Sequence, residues 1–280
     1  MDEHFAAFSF VDRITELEWA RRARGVFAVP SRIAEFPRCL IAEAVGQLAA
    51  WVSMSAIEYR GRPVAALAAE TRFHGDVRPG ETLSLEVDID SCDDEAVAYG
   101  GRAWIGERLL LELEHCLGPM LPAADFDAPE ALRERFKLLC GGGALPGRFQ
   151  GVDVGRPEVT AHEPGGSVAA TLHVPAQAPF FADHFPRRPV FPATLLLDAQ
   201  IRLATQLVRE SAQGRNGELT LRRMNNVKVR SFTSPGQTLE LGASATPHER
   251  GMRVALSARA GGKSVATARV EFGDIDGGAA

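Results

Sequence analysis

One histidine and two acidic residues occupy positions in this sequence where general acid–base chemistry would need them. His184 precedes a long apolar segment that carries a single acid, Asp198, fourteen residues after the histidine. A second apolar segment, nearer the N-terminus, carries Glu43. A histidine has an ordinary pKa of about 6.5, which suits a general base. Burial raises the pKa of a carboxyl group, so an acid in an apolar helix can hold a proton near pH 7. These residues therefore predict a site with one base and one acid.

The two acids belong to an internal repeat. Glu43 lies in "EFPRCLIAEAVGQLAAW" and Asp198 lies in "VFPATLLLDAQIRLATQ", and the two acids are 155 residues apart. Each segment begins with a Phe-Pro pair at the same offset. Further along each copy, Pro79-Gly80 and Pro235-Gly236 mark a turn that is followed by alternating polar and apolar residues, which predicts a strand. The chain therefore holds two copies of one structural unit.

Each copy is predicted to contain one or two leading strands, one long apolar helix and three or four further strands. A helix that is apolar on all sides must be buried, so an antiparallel sheet wrapped around it is favoured. An exposed edge strand in each copy would pair the two sheets into one. The predicted class is α+β, with an N-terminal unit at 1–122, a helical linker at 123–145 in which Asp127 caps the helix, a C-terminal unit at 146–275 and a tail at 276–280.

Composition limits the class of protein. The chain has 280 residues, of which 45% are hydrophobic and 24% charged, as expected for a globular protein of two domains. A run of eighteen apolar residues is missing, so a membrane span is not expected. The N-terminal residues lack the pattern of a signal peptide, and the four cysteines lack disulfide or metal spacing. A cytoplasmic location with reduced thiols is therefore expected.

Several functions are not supported by the sequence. Histidine, cysteine and acidic residues do not cluster at metal-ligand spacing, and the glycine run at residues 141–143 lacks the features of a phosphate loop. No nucleic-acid motif is present. The first half of the chain is net acidic and the second half net basic. That asymmetry indicates either an acidic partner for the second half or contact between the two halves.

The run "FFADHFPRRPVFPATLLLDA" resembles the active-site segment of the β-hydroxyacyl-acyl-carrier-protein dehydratases. The family pattern is His-Phe-Pro-Gly-x-Pro-Val-Met-Pro-Gly-x-Leu, with an acid fourteen residues after the histidine. The likeness is strong over residues 165–272 and moderate over residues 8–120. The positions that match the pattern are His184, Phe185, Pro186, Pro189, Val190, Pro192 and Leu195.

The resemblance implies the hotdog fold, in which a sheet wraps a central helix, and here a tandem double hotdog. It implies dehydration of a (3R)-3-hydroxyacyl thioester to a trans-2-enoyl thioester without a cofactor. The substrate carrier would be an acyl carrier protein or coenzyme A, in fatty-acid, polyketide or related acyl assembly. A chain that already holds two units is itself a pseudo-dimer, so it would exist either as a monomer or as a homodimer. Neither a nucleic acid nor a membrane is expected as a partner.

In that family the histidine of one unit works with the acid of another, and each copy of this chain has lost a different part. The first copy has Val29 where the histidine would stand, but it keeps Glu43 and Gln47 in the family's Glu-Ala-x-x-Gln pattern. The second copy keeps His184 but has Arg202 in place of the glutamine. The resemblance therefore implies a single site that combines parts of both copies.

Two assignments of the acid remain open from the sequence. The favoured one pairs His184 with Glu43, supported by Gln47, and the alternative uses Asp198. Oxyanion donors would be the first backbone N–H groups of the second long helix, at Ala193 and Thr194. We expect an acyl tunnel to be lined by Phe180, Phe181, Phe185 and Phe191. We expect a carrier-docking surface to be formed by Arg187, Arg188, Lys228 and Arg230.

The chain departs from the family at three positions. Ala193, Arg38 and Asp183 stand where glycine is usual, and we expect these side chains to narrow the tunnel or to change how closely the backbone approaches the substrate. Two other functions compete with dehydration. A hotdog thioesterase would use a helix acid to activate water, although that chemistry does not need the histidine-proline run. A non-catalytic protein that binds acyl groups or their carrier would fit the lost motifs, although His184 and Glu43 both survive.

Overall fold

A similar order of elements occurs twice along the chain, with one additional short strand in the first copy and one additional short helix in the second. The computed structural model describes residues 5–211, 219–249 and 251–274, so the tail predicted at 276–280 lies outside the described residues. The first series is β1 Arg13–Glu18, β2 Arg22–Ala28, α1 Arg38–Ala56, β3 Gly61–Pro63, β4 Leu67–Phe73, β5 Thr82–Cys92, β6 Ala96–Ile105 and β7 Arg108–Pro122. A 3-10 turn at Ala123–Asp125 and α2 at Pro129–Cys140 follow. The second series is β8 Glu158–Glu163, β9 Ser167–His173, α3 Pro179–His184, α4 Ala193–Ser211, β10 Leu219–Val229, β11 Thr238–His248, β12 Gly251–Ala260 and β13 Lys263–Asp274.

The strands form one continuous antiparallel sheet. Its order is β1-β2-β5-β6-β7-β4-β10-β13-β12-β11-β9-β8, and β3 pairs with the far end of β7. The seam between the copies is the β4–β10 pair, in which Thr71 lies opposite Met224 and Ala68 opposite Val227. Each half of the sheet curves around its own long helix. The prediction of two hotdog units joined edge to edge into a double hotdog is confirmed.

The two long helices form the core. Leu40, Ile41, Leu48 and Val52 of α1 are fully buried, and the helix packs against β5 and against α4. By length and hydropathy α1 is the one helix among the described residues that would suffice to cross a membrane, but its position beneath the sheet is that of a core helix. Each fully buried leucine or isoleucine stabilises the fold by about 1.5–3 kcal/mol, so the wrapped position of α1 is strongly favoured.

The connection between the copies contains the predicted helix, but its cap is not the predicted residue. The N-cap of α2 is Ala128, which has an extended backbone (φ −77°, ψ 122°). Pro129 imposes that conformation on the residue before it. Asp127 therefore lies one position too early to cap the helix. Its carboxylate instead accepts hydrogen bonds from the backbone N–H of Ala128 (2.7 Å) and from Arg135 Nη1 (2.6 Å).

A close approach of α1 to the sheet depends on Gly101 in β6. A Cβ at this position would lie 2.5 Å from the carbonyl oxygen of Glu86 and 2.5 Å from Cγ1 of Val45. We expect Gly101→Ala to lower the free energy of unfolding by about 1–3 kcal/mol, the usual cost of overpacking. Urea unfolding measures this change. Gly142→Ala is the matched control because a Cβ there meets no atom within 4 Å, and an equal loss in both variants would contradict the packing argument.

Candidate active site

A cavity of about 220 Å³ lies between the two copies, and both predicted catalytic residues line it. Most of its wall is apolar and comes from α1, the chain between β3 and β4, the start of α4 and strand β10. The polar side chains on the wall include Glu43, Gln47, Arg62, His184 and Thr194. The first three belong to the N-terminal copy and the last two to the C-terminal copy. The structure therefore brings His184 together with the acid of the other copy.

Glu43 lies on the face of α1 that points into the cavity. One carboxylate oxygen accepts a hydrogen bond from Gln47 Nε2 (3.0 Å), and the other accepts one from the hydroxyl of Thr194 (2.8 Å). Gln47 is one turn further along the same helix, which places it beside Glu43. Burial raises the pKa of Glu43 above its ordinary value of 4.5, although both hydrogen bonds oppose the shift. Glu43 can therefore hold a proton under conditions in which an exposed glutamate is ionised.

His184 is the last residue of the short helix α3. Its ring lies between Phe8 (ring centroids 5.1 Å apart) and Phe185 (4.0 Å apart). Burial, and next the positive charge of Arg62, lower the pKa of His184 to about 3. The imidazole is therefore neutral near pH 7 and has a lone pair available to accept a proton. His184 thus presents a neutral imidazole to the cavity, and Glu43 presents a carboxyl group whose raised pKa favours its protonated form. The roles of base and acid stay a prediction.

Gln47 connects Glu43 to the N-terminal segment of the chain. Its side-chain oxygen accepts a hydrogen bond from the backbone N–H of Phe10 (2.8 Å), and its Nε2 also donates to the carbonyl of Phe8 (3.0 Å). This segment passes over the cavity and places the Phe8 ring against His184. The predicted supporting role of Gln47 thus has a geometric basis, because both the oxygen and the nitrogen of its amide are hydrogen-bonded.

Asp183 anchors the same N-terminal segment. Its carboxylate accepts hydrogen bonds from the backbone N–H groups of Phe5 (3.1 Å), Ala7 (3.0 Å) and Phe8 (2.9 Å). Asp183, which stands where the family usually has glycine, thus holds the N-terminal segment by three hydrogen bonds. Arg38, the second departure, turns away from the cavity wall to bind Asp76 and the carbonyl of Leu221. Ala193, the third, lies on the wall.

Asp198 does not line this cavity. Its carboxylate accepts a hydrogen bond from Arg202 Nε (2.8 Å), and Arg202 Nη2 reaches the carboxylate of Glu35 (2.5 Å). Burial raises the pKa of Asp198, while Arg202 acts in the opposite direction. At the matching place in the first copy, Val29 is buried and offers no base. The second possible site therefore has an ion pair and a valine where the first has an acid, a glutamine and a histidine.

The four phenylalanines predicted to line a tunnel and the four basic residues predicted to dock a carrier differ in their surroundings. Phe185 and Phe191 line the cavity, whereas Phe180 and Phe181 are absent from its wall and pack in the hydrophobic core, where Phe180 contacts Phe8. Of the four residues expected to dock a carrier, Lys228 is exposed on β10. The other three are exposed but already have neighbours: Arg187 donates to the carbonyl of Ala124, Arg188 stacks on Phe126 and Phe232, and Arg230 donates to Thr267 Oγ1.

The first helical residues of α4 lie at the cavity between the two copies. Ala193 and Thr194 both line the cavity, and the backbone N–H groups at a helix start have no carbonyl partner within the helix. The oxyanion role predicted for these two N–H groups stays a prediction. Sequence analysis missed the hydroxyl of Thr194, which binds Glu43, and it missed Arg62 altogether. Arg62 lies in an ordinary Gly-Arg-Pro stretch, and only the fold brings it to the site.

Metal ligation has no basis in the described part of the chain. Among residues 5–211, 219–249 and 251–274, no group of three histidine, cysteine or acidic side chains could hold an ion. The cysteines at 39, 92, 116 and 140 are all free thiols.

The fold defines a protein of the hotdog class. The chain resembles the 12:0-ACP thioesterase from Umbellularia californica (TM-score 0.56, 9% identity, 90% of this chain and 94% of that one) and a MaoC-like dehydratase (TM-score 0.54, 11% identity, 91% and 98%). At such identities these likenesses concern the fold alone.

Sequence comparisons are more specific. Residues 160–269 match the ApeI-like family model, described as ApeI dehydratase. The chain is 37% identical over 122 residues to the 3-hydroxyacyl-acyl-carrier-protein dehydratase FabZ of Caldanaerobacter subterraneus subsp. tengcongensis, covering 40% of this chain and 86% of the relative. It is 32% identical over 111 residues to FabZ of Pediococcus pentosaceus, covering 39% and 74%. The chain belongs to the 3-hydroxyacyl-acyl-carrier-protein dehydratase family, which confirms the resemblance noted in the sequence.

Proposed function

We propose that this protein dehydrates (3R)-3-hydroxyacyl thioesters to trans-2-enoyl thioesters at one site built from both copies, with His184 as the base and Glu43 as the acid. The observation that carries the proposal is that His184 of one copy and Glu43 of the other line one cavity. The pKa of His184 is lowered and that of Glu43 is raised. Groups whose environments separate their protonation states in this way can act as base and acid together.

The proposed reaction needs two proton transfers. His184 takes the proton from C2 of the substrate, and the electron pair of that C–H bond forms the C2–C3 double bond as the C3–O bond breaks. Glu43 gives its proton to the departing hydroxyl group, which leaves as water. Each positioned acid or base typically contributes about 10²–10⁴-fold to the rate. The backbone N–H groups of Ala193 and Thr194 would stabilise the negative charge that develops on the thioester oxygen.

The proposed substrate is carried by an acyl carrier protein or by coenzyme A. The names of the FabZ relatives specify a carrier-linked 3-hydroxyacyl group, and the apolar cavity suits an acyl chain. Exposed basic side chains at Lys228, Arg187 and Arg230 would attract an acidic carrier. We place the reaction in fatty-acid synthesis or a related acyl assembly, with residues 1–122 and 146–275 acting as the two units on either side of the linker at 123–145.

Hydration of a crotonyl thioester, the reverse reaction, tests the proposal directly. Loss of enoyl absorbance is followed with coenzyme A and with an acyl carrier protein as the carrier, and release of free thiol is measured in the same samples. We expect hydration without thiol release. Thiol release without hydration would instead establish a thioesterase. Absence of both hydration and thiol release, with both carriers, would contradict the proposal and favour a binding protein.

The pH dependence of kcat should reflect both shifted groups. Because His184 becomes protonated only near pH 3, we expect no loss of activity between about pH 7 and pH 5, where an ordinary histidine would protonate. Glu43 must hold its proton, so activity should fall as the pH rises through the raised pKa of Glu43, above the ordinary range of a glutamate. Steady-state rates across this range check both limbs, and a decline between pH 7 and pH 5 would contradict a base that stays neutral in this range.

A further inference from the structure

The connection between the two copies lies directly against the loop that carries His184. The Phe126 ring packs on the ring of Phe185, the residue after His184, at a centroid distance of 4.8 Å. The backbone N–H of Arg187 donates to the carbonyl of Phe126 (2.9 Å). Val64 and Val190 complete this small buried cluster. The loop around the proposed base is therefore held by a segment that belongs to neither repeated unit.

Arg62 extends this contact to His184 itself. Its Nη2 donates a hydrogen bond of 2.6 Å to the backbone carbonyl of His184, and its guanidinium carbon lies 4.6 Å from the centre of the Phe185 ring. Arg62 comes from the strand that follows α1 in the N-terminal copy, whereas His184 belongs to the C-terminal copy. A side chain of one copy thus fixes the backbone at the proposed base of the other.

Asp127 and Arg135 hold Arg62 in place. The carboxylate of Asp127 is buried and lies 3.6 Å from Arg62 Nη1 and 2.6 Å from Arg135 Nη1. Arg62 Nη1 is itself buried and makes no hydrogen bond within the described residues, so this charge is balanced chiefly by the Asp127 carboxylate. The order of contacts is Arg135, Asp127, Arg62 and then the His184 carbonyl. Planar guanidinium groups suit such a buried chain because they offer several donors in a fixed geometry.

We propose that Arg62 is a positioning residue for His184 and that the linker, through Asp127, fixes Arg62 in its working orientation. The inference rests on the proposed function, in which His184 is the base. A reacting group that is displaced by about 1 Å can lose about 10²-fold in rate. The contact with the backbone carbonyl sets the place of the imidazole, while Phe8 and Phe185 set the packing on its faces.

Because Arg62 is charged, the proposal also predicts a change in the pH dependence of the rate when this residue is replaced. The groups that interact with it electrostatically are Asp127 and Arg135 on the linker, Asp183 and Glu43. Its positive charge lowers the pKa of both His184 and Glu43. Removing this charge should therefore move both limbs of the pH profile to higher pH. Removing the negative charge of Asp127 should move them in the opposite direction.

The test compares Arg62→Gln, Arg62→Lys and Asp127→Asn with two matched controls. Arg60→Gln makes the same charge change at an exposed arginine paired with Asp94, and Asp125→Asn does so at an exposed acid of the linker. Urea unfolding establishes that each variant is folded. We expect Arg62→Gln to lower kcat about 10²-fold with little change in KM, and to shift the alkaline limb upward. Both controls should match the wild type.

The other two variants separate charge from geometry. Arg62→Lys keeps the charge but not the planar fork, so the alkaline limb should stay near its wild-type position while kcat remains low. Asp127→Asn should lower kcat and shift the limb downward. An Arg62→Gln variant with normal kcat, or with reduced kcat and an unmoved limb, would overturn the proposal. So would equal effects in Arg60→Gln.

A measurement without turnover keeps this inference distinct from the proposed function. NMR titration of the His184 ring follows its protonation in wild type and in Arg62→Gln over the pH range in which both are folded. We expect the ring of Arg62→Gln to begin protonating at a higher pH than that of wild type. If wild type hydrates no enoyl thioester, the proposed function fails. If the two rings titrate alike, Arg62 does not act on His184.

Discussion

His184→Ala is expected to lower kcat for crotonyl thioester hydration by about 10²–10⁴-fold, the usual contribution of a positioned general base. The ring lines the cavity and is neutral near pH 7 because burial and Arg62 disfavour its charged form. In the proposed reaction the imidazole takes the proton from C2 during dehydration and returns it to C2 during hydration, and alanine can do neither. The rate of enoyl absorbance loss, measured at saturating substrate, gives the effect directly.

A structural explanation for the same loss can be excluded with a matched control. His173 is exposed at the end of β9 and interacts with Thr238 Oγ1 (3.1 Å), away from the cavity. His173→Ala should keep wild-type activity. Urea unfolding of both variants should show that each remains folded at the assay temperature. A folded His184→Ala variant with wild-type kcat would show that the reaction, if present, uses another base.

Glu43→Gln is expected to lower kcat to a similar degree, about 10²–10⁴-fold, while Asp198→Asn leaves it nearly unchanged. Glutamine keeps the shape of the side chain and can still accept from Gln47 or Thr194. Its amide, however, can neither protonate the leaving hydroxyl group in dehydration nor take a proton from water in hydration. Asp198 lies off the cavity wall, in an ion pair with Arg202. The two substitutions are matched, since each replaces a half-buried helix acid by its amide at the same position of the repeat.

The pair of variants decides which acid works with His184. Loss of activity in Glu43→Gln alone would support one site made from both copies. Loss in Asp198→Asn with a normal Glu43→Gln would mean that the acid comes from the same copy as the histidine. Loss in both would point to a structural effect, which unfolding measurements on Asp198→Asn and on Arg202→Gln, its ion-pair partner, would reveal.

The sequence alone was sufficient to predict the fold, because the fold depends on patterns that repeat locally. The matched offsets of Phe36 with Phe191 and of Glu43 with Asp198 showed two copies, and the all-round apolar helix in each implied a wrapping sheet. The pairing of Gln47 with Glu43 could also be predicted, since four residues along a helix place two side chains on one face. Local spacing is enough for such contacts.

The tertiary structure decided what depends on residues that are distant in sequence. Pairing of β4 with β10 sets the two copies against each other, and this tertiary arrangement places Glu43 and His184 on one cavity wall while Asp198 lies off it. It also places Phe180 and Phe181 in the core, where the sequence expected a tunnel wall. Arg62 and Asp127 acquire their contacts with the His184 loop from the path of the linker. No local spacing encodes these contacts, because their geometry arises only when the edges of two separate sheets meet.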